Sequence, residues 1–305
     1  MMSSSAPLDA PPASAATAEA PSPQDGWPDG LPALRAELDR IDDALHSLLT
    51  QRARVVEEVA KSGKRSAYRP GREASIVRRL LRQHSGRLPP QALVRIWREL
   101  LAGTTAMQGP FAVAVCERDG TGAYTQAARE HFGALTPLHA YGSPAQAMAE
   151  VSRGSAAVAV LPLPSETEAA RDAWWTALLQ RDEPRVHVVS RLPFWSPRPD
   201  GAPTVQALVV ATSEPDASEH DRSLLGLEFD LDVSRARLNA ALNTAGLTPG
   251  TVILRRDQGA TVAHALVEIG GLLTDSDARL AGLGAMLRRP VVLGAYAIPE
   301  TGAAA

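Results

Sequence analysis

The sequence predicts a multidomain chain: an all-α three-helix segment first, then an α/β lobe, then an α+β module with a ferredoxin-like layout. Three observations carry this. Leu34, Leu38, Ile41, Leu45, Leu48, Arg52, Val55 and Val59 follow one another at spacings of four and three, the seam of one long amphipathic helix. Beyond Pro110, short apolar runs alternate with helix-like stretches, a βαβ rhythm. From Val205 onward the order becomes strand, helix, two strands, helix, strand.

The first helix is expected from about Leu31 to Ser62, ending near Gly63, which suits a C-terminal glycine. Pro70 suits the first turn of a second helix carrying Ile76, Val77, Leu80 and Leu81. A third follows Pro89-Pro90, with Leu93, Trp97, Leu100, Leu101 and Thr104 facing inward and Gln108 at its end. Glu73, Ile76 and Leu80 are expected to share one face. The lobe then has strand FAVAV, the glycine-bearing turn CERDGTGAY, a helix from TQAAREHFG, a helix at 143–153 and strand AAVAVLPLP, and should be a small parallel sheet. Pro193 to Pro203 reads as a bridge. The last module should run strand VQALVVAT, helix 234–245, strands TVILRR and AHALVEIG, helix 275–287 and strand VVLGAYA.

The organisation expected is a disordered Ala/Ser/Pro tail at 1–28, a helical domain at 29–109, a lobe at 111–203, the last module at 204–300 and a tail at 301–305. Cys116, the only cysteine, excludes an intrachain disulfide framework and reads as a small core residue in a reducing cytoplasm. No apolar run reaches the ~18–20 residues of a membrane span. The first Lys or Arg is Arg35, so no cationic secretory start is expected. The seven histidines are scattered without metal-ligand spacing, and neither a phosphate loop nor a dinucleotide fingerprint is present, so no metal and no cofactor is expected.

Charge is uneven. Residues 31–108 hold 15 Lys/Arg against 8 Asp/Glu, whereas 109–305 hold 16 against 22. Such a basic segment binds an anion or offers a solvated face. A nucleic-acid partner is the weaker reading, because no recognition motif or aromatic interleaving accompanies the charge. Arg52 sharpens the choice. A guanidinium inside an apolar seam must meet an anion or stay hydrated. Arg35 lies 17 residues earlier on the same helix, roughly 25 Å away at 1.5 Å per residue. Two such helices running antiparallel would bring each Arg35 to the other's Arg52, giving a dimer with two anion sites. Taken alone, Arg52 also fits a pair with a core acid, Arg72 and Glu73 fit a first-turn surface, and Gln108 fits a frayed helix end.

The segments LRAELDRIDDALHSLLTQR, YRPGREASIVRRL and RIWRELLAGTTAMQ together resemble the all-helical chorismate mutase family. GTGAYTQAAREHFG, AVAVLPLPSE and LGAYAIP resemble, more weakly, the dehydratase and ACT portions of prephenate dehydratase. The first resemblance implies a unimolecular rearrangement of the dicarboxylate chorismate to prephenate. It needs a held conformer and stabilised charge on the ether oxygen, and neither metal nor cofactor. It further implies a homodimer with shared sites. Arg52 would grip one carboxylate and Arg35 would reach across the dimer. Arg72 would join the basic pocket and Glu73 would accept from the ring hydroxyl. Gln108 would donate to the ether oxygen, with Thr104 supporting a carboxylate. Gly63 stands where the family carries a lysine, so Lys64, or else Lys61, is the substitute; Arg69 stands where many members carry an acid.

In the second half, the family's Thr-Arg-Phe signature falls at Val205-Gln206-Ala207 and its Asn-Ser pair at Pro164-Ser165. Only about 90 residues separate Phe111 from the last module, too few for a two-lobed cleft. The dehydratase is therefore expected to be inactive. The ACT-like module keeps only Arg255 of the family's expected effector-binding residues, so its reading is structural or dimerising, with amino-acid sensing as the alternative. The rival function is a non-catalytic regulatory or dimerisation protein of the same pathway.

Overall fold

The computed structural model describes residues 30–62, 67–196, 198, 200–284 and 286–301. The expected tail at 1–28, residues 302–305 of the expected tail at 301–305, and Gly63 and Lys64 lie outside the described residues, whereas Thr301 belongs to the last short strand. The chain divides into two compact units, one ending at Arg54 and one from Val55 onward.

The first unit is most of helix α1, Leu31–Lys61. Among α1 residues none is buried, and Leu38 and Leu48 are 60% and 61% exposed. The seam is thus a stripe of largely exposed apolar side chains. A helix so poor in core contacts draws its stability from elsewhere, since propensity alone is a weak support.

In the second unit, α2 spans Pro70–Gln83 and α3 spans Pro90–Ala106, each opening on a proline that supplies a helical φ and lacks the N–H a first turn leaves unpaired. The inner face of α3 runs through Val94, Arg98, Leu101 and Thr105, whereas Leu93, Trp97 and Leu100 are only half-buried. On α2 the buried face is Glu73, Ala74, Val77 and Arg78, with Ile76 and Leu80 at its margin. Ala74, Val77 and Val94 share a small core with Phe194 and Ala297.

The rest is built on one nine-stranded sheet. Strands β1 (Val113–Cys116), β2 (Leu138–Tyr141) and β3 (Val158–Pro162) are mutually parallel, connected through α4 (Ala123–Phe132) and α5 (Pro144–Ser152). β4 (His187–Leu192) follows, then the short β5 (Trp195–Ser196) and β6 (Ala207–Ala211). Where the second lobe would lie, Leu163 to Val186 holds only two short 3₁₀ helices, Ala170–Asp172 and Trp174–Gln180. Next come β7 (Asp221–Phe229), α6 (Arg235–Thr244), β8 (Pro249–Arg255), β9 (Ala263–Gly270), α7 (Ala278–Ala281), β10 (Leu287–Ala297) and β11 (Glu300–Thr301). The large sheet runs β2-β1-β3-β6-β4-β10-β7-β9-β8.

Two expectations need correction. The run at 205–212 is not the first strand of the ferredoxin-like layout. It becomes β6, wedged antiparallel between β3 and β4, because its five buried residues need cover on both sides. The layout begins instead with β7, and its four strands lie in the order β10-β7-β9-β8. The helix expected at 275–287 contracts to α7, Ala278–Ala281, in a stretch broken by Gly282 and Gly284.

The two halves of the sheet join where Gly294 of β10 meets Val188 of β4. Gly294 has φ +137°, and a Cβ there would sit 2.1 Å from the Val188 carbonyl oxygen, so only glycine permits this approach. Cys116 is buried in β1, and burial pushes its thiol up to about 11.

Candidate active site

The predicted residues divide between the units. In the first, Arg35 is exposed and Arg52 is half-buried, both on α1. Lys64 is outside the described residues. Lys61, the other candidate, is exposed and pairs with Glu58 of its own helix at 2.7 Å.

In the second unit, Glu73 lies on α2, Thr104 on α3 and Gln108 just beyond its end; Glu73 and Thr104 are buried, Gln108 is half-buried and Arg72 is exposed. Glu73 is buried and accepts from Arg98 Nη1 at 3.0 Å. This pair was not foreseen, although Arg98 gives the same signal as Arg52, a guanidinium within an apolar stripe. Burial pulls Arg98 below the usual guanidinium range, and the Glu73 charge opposes that pull. Tyr68 is buried nearby, packed on Phe111 and Phe132, with its hydroxyl 3.2 Å from His131 Nε2. Burial, then the negative Glu73, push its hydroxyl far above the usual phenol range. Burial drives the His131 imidazole well below its ordinary range, and Arg98 adds to the effect.

The other polar groups are turned toward the protein itself. The Thr104 hydroxyl donates to the Leu100 and Leu101 carbonyls at 2.9 and 3.1 Å. Gln108 Nε2 donates to the Thr104 carbonyl at 3.0 Å, closing the end of α3. The backbone N–H groups of Gly71 and Arg72 donate to Asp216, which also pairs with Arg69 at 3.1 Å. Arg69, the departure from the family pattern, thus serves to fasten the start of α2 onto the 213–220 connection. Arg78, also unforeseen, fastens its far end. It donates to the Ile298 and Ser218 carbonyls at 2.6 and 2.7 Å and to Glu300 at 2.5 Å.

In the second half, Gln206 accepts from Arg191 Nη2 at 2.8 Å, and Arg191 Nη1 reaches Tyr296 Oη and Glu268 at 3.1 and 3.2 Å. Arg255 pairs with Asp257 and donates to the Glu168 carbonyl. Among the described residues no group of three or more His, Cys, Asp or Glu is placed to hold a metal ion. No described helix is long and apolar enough to cross a membrane.

Residues 34–109 match the family described as chorismate mutase type II. The chain is 32% identical over 166 residues to the bifunctional chorismate mutase/prephenate dehydratase of Pseudomonas aeruginosa, covering 50% of this chain and 44% of that one. That stretch is more than twice the length of the segment 34–109, so the similarity continues past the helices. The chain spans less than half the length of this relative. Among solved structures, a quorum-quenching acylase, GqqA, overlaps at TM-score 0.47 with 16% identity, covering 62% of this chain and 96% of that one. Prephenate dehydratase from Streptococcus mutans overlaps at TM-score 0.44 with 13% identity, covering 61% and 97%. At these scores the likeness assigns no activity.

Proposed function

We propose that the chain is an isomerase converting chorismate to prephenate, acting in aromatic amino-acid biosynthesis as a cytoplasmic homodimer. The match of residues 34–109 to chorismate mutase type II carries this reading. The exposed seam of α1 supports the dimer, since a helix with that much uncovered apolar surface is stabilised by a second copy. In the dimer, Arg52 and the partner subunit's Arg35 bind the substrate carboxylates bidentately, with Arg72 and Lys64 adding positive potential. Glu73, held in place by Arg98, accepts from the ring hydroxyl. Gln108 exchanges its bond to the Thr104 carbonyl for one to the ether oxygen, where charge accumulates as the C–O bond breaks. Thr104 supports a carboxylate. No covalent intermediate is required.

The dehydratase-like region is inactive in this reading. Gln206 replaces a charge with an amide already bonded to Arg191, and only short 3₁₀ turns stand where a second lobe would close a cleft. The ACT-like module is structural, because Arg255 is engaged by Asp257 and Glu168; an amino-acid effector there is the alternative.

A second reading, a non-catalytic regulatory or dimerisation protein, is favoured by the internal bonding of Gln108 and by Arg69. Following loss of chorismate absorbance, with prephenate and phenylpyruvate assayed separately, decides between them. Prephenate without phenylpyruvate is the expected result. No turnover by a folded protein establishes the second reading, and phenylpyruvate overturns the inactive dehydratase.

A further inference from the structure

A cavity of about 260 Å³ lies within the second unit, between α3, α4 and the segment that follows β4. It is separate from the helix ends that carry Arg72 and Gln108. From α3 it receives Val94, Arg95 and Arg98, which share a face at spacings of one, three and four. From α4 it receives Ala127, Glu130 and His131; Phe194, Trp195 and Arg198 complete the wall.

Its charge is unbalanced. Three guanidinium groups line it: Arg198 pairs with the lining Glu130 and Arg98 pairs with Glu73, which leaves Arg95 as the surplus positive charge among the described residues. Arg98 is 4% exposed, and its guanidinium lies 5.1 Å from the centre of the Phe194 ring while Nη1 holds Glu73. Arg95 stands at the exposed side with no ion partner among the described residues. The wall therefore combines flat aromatic surface with one surplus guanidinium and a second held by Glu73, a pairing that recognises a carboxylate borne on an apolar body. The volume is just below the range of ~300–1,000 Å³ common for drug-sized ligands, which limits the ligand to about one ring and a short acid arm.

We propose that this cavity is a binding site for a small aromatic carboxylate, its ring against Phe194 and Trp195 and its carboxylate on Arg95 and Arg98. Arg98 makes the site consequential. An anion drawn to its guanidinium competes with Glu73 for the same charge, so occupancy changes how firmly Glu73 is held. That last step rests on the mutase reading of Glu73; the binding itself does not.

The test is calorimetric titration of the full chain with 3-phenylpropanoate, its neutral amide serving as control. Saturable binding of the acid, with the amide about tenfold weaker or more, is expected, as for a charge-assisted contact. Arg95→Ala, at an exposed position, should weaken the acid about tenfold and leave the amide unchanged. Arg52→Ala should leave acid binding unchanged. Equal binding of acid and amide, or no binding, overturns the site. Loss of binding in Arg52→Ala with retention in Arg95→Ala also overturns it, placing the acid in the mutase site instead. Because heat is read without turnover, a catalytically silent chain can still pass or fail.

Discussion

Arg78 joins α2 to residues 140 and 222 positions further along the chain. Its guanidinium is 3% exposed, and its removal would strand the Ser218 and Ile298 carbonyls and the Glu300 charge. Leaving a buried hydrogen-bond partner unpaired typically costs about 1–3 kcal/mol, so two stranded carbonyls set a loss of about 2–5 kcal/mol, to which the partly exposed Glu300 adds less. Arg78→Ala should lose a comparable amount in chemical denaturation, and a change under about 1 kcal/mol would contradict this role. Gly294 gives a second case: an alanine there must push β10 from β4, so Gly294→Ala should destabilise by upward of about 3 kcal/mol. His131 supplies a pH dependence. Its folded-state pKa is depressed by burial, so the unfolded chain binds the extra proton first. Stability is full above the ordinary histidine range near 6.5 and falls as pH drops below it. His187, also depressed by burial, acts in the same direction. His131→Phe should flatten the fall of Tm between pH 7.5 and 5.5 without abolishing it, and an unchanged slope would exclude the residue.

At the scale of elements, α1 carries the clearest prediction. Under the proposed dimeric mutase, Arg52→Ala and Gln108→Ala should each lower kcat/KM by a hundredfold or more without dissociating the dimer, consistent with the size of single charge-stabilising groups. Mixing inactive Arg35→Ala and Arg52→Ala subunits should restore activity, because one of the two sites in a mixed dimer is intact. Absence of recovery after verified exchange would place both arginines in separate roles. The helices were legible because their signals are local: Pro70 and Pro90 open α2 and α3 as expected, and α1 ends within a residue of its predicted limit. β7 was missed because Asp221, Arg222 and Glu228 break the apolar run, although most of the strand is buried. β6 was seen as a strand but given the wrong neighbours, since pairing partners leave no mark on a short apolar run. In the candidate site, the residue types and their helices could be read from the sequence. The burial of Glu73 against Arg98 was within reach of the same reasoning as Arg52, whereas the partners of Arg78 were not, lying far along the chain.

For the whole molecule, the sheet joins the α/β lobe to the ferredoxin-like strands through a single stretch of β10 and β4. The latch of Arg78 sits at the ferredoxin-like end of that sheet, on the residues flanking β7 and β10. It follows that α2 and α3 are not a portable module. A chain cut after Gly109 would keep α2 and α3 but lose the surroundings of Arg78 and of the Ala74–Val77–Val94 face. Such a fragment should lack a cooperative thermal transition, whereas the intact chain retains one. The carboxy-terminal half therefore has a reason to persist even without chemistry of its own: it is the splint on which α2 and α3 are set.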